Sequence, residues 1–168
     1  MNLKALHSIS YGLYVIGSKK GDKLNAQTAN TVIQVSSEPP IISVCINKGN
    51  LTHEFIEDSG VFTVSILSQD TPLNFIGRFG FKSGREVDKF DGVNYKLGET
   101  GAPIVLDHTL AYLEARVINA VDVATHTIFI GDLIDAEVLQ EGEPMTYAYY
   151  HLVKRGTIPK TAPSYHKD

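Results

Sequence analysis

Apolar residues recur along this chain mostly at strand-like spacing. Residues 11–18 are rich in β-formers and stop at the polar turn Lys19-Lys20-Gly21-Asp22-Lys23. A second strand pattern covers residues 24–35, so the two predict a hairpin. Ser36-Ser37-Glu38-Pro39-Pro40 interrupts the pattern, because proline cannot donate to a ladder. Residues 41–46 are almost continuously apolar and predict a buried central strand. A short helix is expected after Asn47-Lys48-Gly49, capped by Asn50 or Thr52 and ended at Ser59-Gly60, followed by a strand over 61–67. Thr71-Pro72 predicts a second helix, with Thr71 as cap and Pro72 in the first helical position; it carries Leu73, Phe75, Ile76 and Phe79 and dissolves over 80–85. Short strands over 94–97 and 104–106, long strands over 110–121 and 127–139, and a helix over 146–155 ended by Gly156 complete the pattern. Many strands with two or three short helices predict a closed β-barrel decorated by helices rather than a βαβ fold.

Composition narrows the class. A chain of 168 residues is the size of one domain and can bury roughly 70% of the surface its unfolded form exposes. We expect the domain over residues 1–156 and an extended C-terminal tail over 157–168. With 43% hydrophobic and 20% charged residues the chain reads as soluble and globular. A net charge of −4 argues against a nucleic acid or an anionic membrane as partner. No apolar run approaches the roughly 18 residues of a membrane helix, and residues 1–8 are too short and polar for a signal peptide. The sole cysteine, Cys45, excludes an internal disulfide framework and a cysteine-only metal site, and it fits a reducing, cytoplasmic setting.

Three segments carry candidate chemistry. Gln27, Asn30 and Thr31 crowd amides and hydroxyls into the first half of the strand pattern over 24–35. This is either an exposed strand end or a ligand-facing edge, where amides and backbone groups could meet the carbonyls and nitrogens of a flat heteroaromatic ring. Asn47-Lys48-Gly49-Asn50-Leu51-Thr52 follows a buried strand and opens a helix. Its free N–H groups suit a terminal phosphate, although many such junctions only cap themselves. Residues 75–85 combine Phe75, Phe79 and Phe81 with glycines and the cations Arg78, Lys82 and Arg85, which reads either as a mobile lid over a nucleotide or as a surface turn anchored by its phenylalanines. His126 opens a strand, where it could meet a cofactor or a substrate phosphate. The six histidines show no metal-binding spacing, so no metal is expected. Cys45, at the end of an apolar strand, reads as a packing residue. No Walker loop, nucleophile elbow or dinucleotide-binding glycine motif is present.

In order and spacing, these motifs are similar to those of the flavin reductase-like, FMN-binding split-barrel family. The resemblance rests on Gln27-Thr28-Ala29-Asn30-Thr31, Pro39-Pro40, Asn47-Lys48-x-Asn50-x-Thr52-His53 and the strand over 61–67. It continues through Phe75-Ile76-Gly77-Arg78-Phe79-Gly80-Phe81, Asp88-Lys89-Phe90-Asp91-Gly92-Val93 and Thr125-His126-Thr127. Within the family the chain most resembles the archaeal-type NAD(P)H-dependent ferric reductases, flavoredoxins and the flavin domain of high-molecular-weight rubredoxins. The resemblance implies a mainly β fold with flanking helices, a six-stranded antiparallel Greek-key split barrel, assembled as a homodimer with FMN near the interface. It implies that Gln27, Thr28, Ala29, Asn30 and Thr31 line the isoalloxazine, and that Asn47, Lys48, Asn50 and Thr52 take the ribityl chain and phosphate. Cys45 would lie beside the flavin, with Phe81, Lys82 and His126 near the flavin or the nicotinamide; His126 is the one catalytic candidate. NADH or NADPH would pass a hydride to FMN, and electrons would leave to a ferric complex, free flavin or a redox protein such as rubredoxin. A non-enzymatic FMN electron carrier of flavoredoxin type is the alternative. The iron-binding module with paired CxxC motifs that follows the flavin domain in high-molecular-weight rubredoxins is missing, so the chain is expected either to stand alone or to be part of a larger protein.

Overall fold

The computed structural model describes residues 1–165. Two turns of 3-10 helix over Leu3–Ser8, which the sequence pattern did not announce, precede nine strands and three helices. The strands are β1 (Tyr14–Lys20), β2 (Lys23–Ala29), β3 (Val32–Ser37), β4 (Pro40–Asn47), β5 (Val61–Leu67), β6 (Tyr95–Leu97), β7 (Pro103–Val105), β8 (Thr109–Val123) and β9 (His126–Val138). The helices are α1 (Leu51–Ser59), α2 (Leu73–Gly80) and α3 (Tyr147–Leu152).

Seven strands form one sheet in the order β2-β1-β5-β8-β9-β4-β3, every pair antiparallel, and β6 and β7 form a separate ribbon. β2 and β3 lie at opposite ends of this order, yet only Asn30 and Thr31 separate them in the chain. The sheet therefore curls until its two edges meet at that link, with no ladder between them. This corrects the expected single strand over 24–35. Its first half pairs with β1 and its second with β4, which gives seven strands where six were expected.

Two apolar clusters fill the molecule, and β1 serves both because its successive side chains point to opposite faces. Val15 joins Leu13, Ala26, Ile76, Phe79, Met145, Tyr147 and Tyr150 beneath α2 and α3, while Ile16 joins Val44, Ile56, Phe62, Val64 and Phe129 beneath α1. Each fully buried side chain of this size contributes about 1.5–3 kcal/mol.

The helix ends follow local chemistry. Gly60 ends α1 with φ of 67°, the left-handed conformation that glycine adopts without penalty, and its N–H reaches the Ile56 carbonyl at 2.8 Å. α2 departs from expectation: Pro72, not Thr71, is its N-cap, and the Thr71 hydroxyl donates to the Ser68 carbonyl at 2.6 Å. α3 is shorter than the expected 146–155; Thr146 caps it by accepting from the Tyr149 N–H at 3.1 Å, and Arg155 turns to a φ of 60° just beyond its end. Among the described residues, no helix is long and apolar enough to cross a membrane. His166, Lys167 and Asp168, the last residues of the expected tail, lie outside the described residues.

Candidate functional site

A cleft of about 250 Å³ opens between edge strand β2, the start of α1, the end of α2 with its following loop, α3 and the C-terminal tail. β2 pairs only with β1, so alternate backbone groups along its outer edge are left out of any ladder.

The polar end is built on α1. Asn50 is its N-cap residue but makes no side-chain cap bond. The Asn47 side chain instead accepts the Gly49 N–H at 2.9 Å, shaping the turn that leads in. The first N–H groups of α1 therefore remain uncapped by side chains beside the cleft, the arrangement that binds anions. Thr52 is buried and accepts from Asn25 Nδ2 at 2.8 Å. Lys82, Ser83, Gly84 and Arg85 cover this end. Arg85 also meets Glu54 at 3.2 Å, and Lys20 meets the same carboxylate at 2.7 Å, which together hold the Glu54 carboxyl below its usual range.

The other end is mostly apolar. Leu13, Ile76, Phe79, Tyr147 and Tyr150 form its walls, with Gln27, Ala29, Asn30 and Cys45 at the margin. Gln27 Oε1 is buried there without a hydrogen-bond partner among the described residues. An orphaned acceptor costs about 1–3 kcal/mol, and a ring N–H placed in the cleft would relieve it. Burial pushes the Cys45 thiol and the Tyr147 and Tyr150 phenols above their ordinary values, so all three stay neutral at physiological pH.

The tail closes one side. Thr157, Pro159, Thr161, Ala162 and Pro163 line the cleft. Asn30 Nδ2 donates to Ser164 Oγ at 2.9 Å, Tyr150 Oη donates to the Thr157 carbonyl at 2.9 Å, and His126 Nε2 donates to the Thr161 carbonyl at 3.2 Å. With Nε2 donating there, Nδ1 is left to accept from the Thr125 hydroxyl, 2.9 Å away.

Most residues singled out from the sequence meet here: Gln27, Thr28, Ala29, Asn30, Cys45, Asn47, Asn50, Thr52, Phe81 and Lys82 all line the cleft. Three do not. Thr31 turns its hydroxyl to Asn30 Oδ1 at 3.0 Å, and its carbonyl accepts the Cys45 N–H at 3.2 Å. Lys48 pairs with Asp122 at 3.1 Å on the surface, because the β8–β9 hairpin end lies alongside the turn before α1. His126 reaches the cleft only through Thr161. The supposed cationic cluster is also dispersed, since Arg78 donates to the Asp91 carbonyl while Lys82 and Arg85 remain at the cleft. Sequence reasoning missed Asn25, Lys89, Tyr147, Tyr150 and the tail as cleft walls. For Tyr147 and Tyr150 the only available signal was their apolar face on a predicted helix.

This is an antiparallel β protein with a cleft suited to an anion at one end and to an apolar ring at the other. The chain belongs to the flavin reductase like domain family, whose pattern matches residues 6–156. It is 62% identical over 165 residues to a high molecular weight rubredoxin of Moorella thermoacetica, covering 98% of this chain and 72% of that one. It is 50% identical over 165 residues to a ferric-chelate reductase (NAD(P)H) of Archaeoglobus fulgidus, covering 98% of each. Among solved structures it is similar to flavoredoxin from Methanosarcina acetivorans, with a TM-score of 0.71 and 26% identity over 80% of this chain and 74% of that one.

Proposed function

We propose that this chain is an FMN-dependent oxidoreductase, which takes a hydride from NADH or NADPH and passes electrons to an acceptor: a ferric complex, free flavin or a redox protein of the rubredoxin kind. The observation that carries the reading is the pairing of an uncapped α1 N-terminus with the orphaned Gln27 acceptor in one cleft. Bound FMN supplies the ring that accepts the hydride.

The chain's own residues bind and orient. Asn50 and Thr52, with the first N–H groups of α1, hold the phosphate, and Lys82 and Arg85 offset its charge. Gln27, Thr28, Ala29 and Asn30 present amide and backbone groups to the ring edge, and Cys45 packs beside it as a neutral thiol. Thr31 supports this edge by holding Asn30, and Asn47 shapes the phosphate turn. His126 acts through the tail, so it is a positioning residue. No side-chain acid or base is required for hydride transfer.

We assign residues 1–156 as the domain and the tail as its strap, and we propose that the seven-stranded sheet closes as the Greek-key split barrel of the family, with β2 and β3 at its meeting edges. A homodimer would cover exposed apolar residues such as Ile33 and Val35 on β3 and Ile118, Val121 and Val123 on β8. The lone free thiol of Cys45 accords with a reducing cytoplasm. A high molecular weight rubredoxin among the relatives supports a redox-protein acceptor, and a ferric-chelate reductase supports ferric complexes.

The similarity to flavoredoxin favours a second reading, an FMN carrier reduced by a protein partner. A visible spectrum of the purified protein, followed by anaerobic mixing with NADH or NADPH, separates the two. Bleaching of the flavin band on a turnover timescale supports the enzyme, and a flavin band that pyridine nucleotides leave untouched supports the carrier. A colourless protein that takes up no added FMN would overturn both.

A further inference from the structure

Lys89 is the only buried lysine among the described residues, 5% exposed, and it forms part of the cleft wall. Its Nζ donates to the Ala26 carbonyl at 2.9 Å and to the Phe79 carbonyl at 3.1 Å. An ammonium carries three donors, so two backbone acceptors leave one uncommitted. No carboxylate among the described residues stands within ion-pair distance of it. Removing a charge from water without a counter-charge costs several kcal/mol. Burial alone lowers the Lys89 amine to about 8, which still leaves it mostly charged at neutral pH.

The position of this cation is informative. Ala26 and Phe79, which hold it, belong to the same apolar cluster as Leu13, Ile76, Tyr147 and Tyr150 of the ring-like end. The phosphate-like end has its own donors in α1 and in Lys82 and Arg85. Ala26 stands between Asn25, which meets α1, and Gln27 at the ring edge, so Lys89 is an unpaired charge where the two ends adjoin.

We propose that Lys89 is the fixed cation of the ring subsite, favouring the reduced, negatively charged form of a bound flavin over the oxidised form. The inference rests on the flavin reading above. Transfer of a hydride from NAD(P)H delivers two electrons and one proton, so the acceptor gains one negative charge and the donor leaves as oxidised nicotinamide. A neutral ring gains little from a buried ammonium, whereas an anionic one offsets its missing counter-charge. Lys89 acts by charge and hydrogen bonding, not as a proton donor.

The test is the midpoint potential of FMN on the full chain, measured spectroelectrochemically for the wild type, Lys89→Met and Lys89→Gln, with folding checked by circular dichroism. Both variants should lose at least about tenfold of the preference for reduced over oxidised flavin, a fall of about 30 mV for a two-electron couple. Methionine removes the hydrogen bonds and the charge; glutamine removes the charge but keeps a donor. A wild-type potential in Lys89→Gln would make Lys89 a mere tie and overturn the proposal. So would equal weakening of oxidised and reduced FMN with riboflavin unaffected, which would place Lys89 at the phosphate. Should either variant fail to fold, nitrogen NMR of Lys89 in the wild type decides. By reciprocity, reducing the flavin must raise the amine pKa by about one unit, and an unmoved value overturns the proposal. Facing the cleft with it are Cys45, Lys82, Arg85, Tyr147 and Tyr150, and from β2 and α2 only the two carbonyls meet Nζ. A wild type that binds no flavin would overturn the flavin reading as well; one that binds flavin with all potentials alike would sink only the role of Lys89.

Discussion

Asn25 Nδ2 donates to Thr52 Oγ1 at 2.8 Å, with both side chains buried, and this bond joins edge strand β2 to the first turn of α1. The strand that carries the proposed ring edge and the helix that carries the proposed phosphate site are thus tied by one hydrogen bond.

Asn25→Ala removes the donor and leaves a buried hydroxyl short of a partner, at a cost of about 1–3 kcal/mol. Urea denaturation should show that loss, and FMN affinity should fall with it. Lys48→Ala breaks only a surface ion pair with Asp122, which is worth about 0–1 kcal/mol. FMN affinity in that variant should stay near wild type; a large loss would return Lys48 to the phosphate site.

Gly84 approaches Asn25 so closely that an added Cβ would overlap its Oδ1 and come within 3.1 Å of Leu51 Cδ2. Gly84→Ala should push the loop after α2 away from α1. The expected result is faster FMN dissociation with little change in thermal stability, read by fluorescence recovery on dilution.

Lys89 gives the stability a pH dependence of defined sign. Its amine titrates at about 8 when folded, against an ordinary value of 10.5. Between these values the unfolded chain binds more protons, so the contribution of this group rises with pH, from a full penalty below about 8 to none above about 10.5. The size is on the order of 3 kcal/mol. The stability difference between wild type and Lys89→Met should therefore shift in favour of wild type across that window in a pH series of denaturation curves. A pH-independent difference would contradict the burial of a charged amine.

His126 donates to the carbonyl of Thr161, which lines the cleft. His126→Ala should loosen the tail, raising protease cleavage near residue 161 and the FMN off-rate together. His126→Gln, which keeps a donor, should restore both in part. A change in the hydride-transfer rate at saturating flavin, with the tail still protected, would show a direct role for the imidazole.

Burial holds the Cys45 thiol above its ordinary pKa, so the nucleophilic thiolate is scarce at neutral pH. Iodoacetamide should modify Cys45 more slowly than a free cysteine, and bound FMN should slow it further. Rapid alkylation unaffected by FMN would place Cys45 away from the ring.

The sequence alone determined the elements. Alternation and apolar runs placed β1, β4, β5, β8 and β9, and Ser59-Gly60 marked the end of α1, because backbone geometry and capping are local properties. Motif order pointed to the family, and the cleft gathered most of the residues the sequence had marked. Tertiary structure decided what depends on distant partners. It split the segment over 24–35 between two edges of one sheet, since which neighbour a strand finds is not written in its own alternation. It turned Lys48 to the Asp122 carboxylate and His126 to the Thr161 carbonyl, 74 and 35 positions away along the chain. It also buried Lys89 between two carbonyls in the cleft wall, although in the sequence it follows Arg85, Glu86 and Asp88 in a segment rich in charge, which local rules assign to solvent. Local patterns report which backbone shapes a segment prefers; the desolvation and pairing of a charge are set only when the whole chain has closed around it.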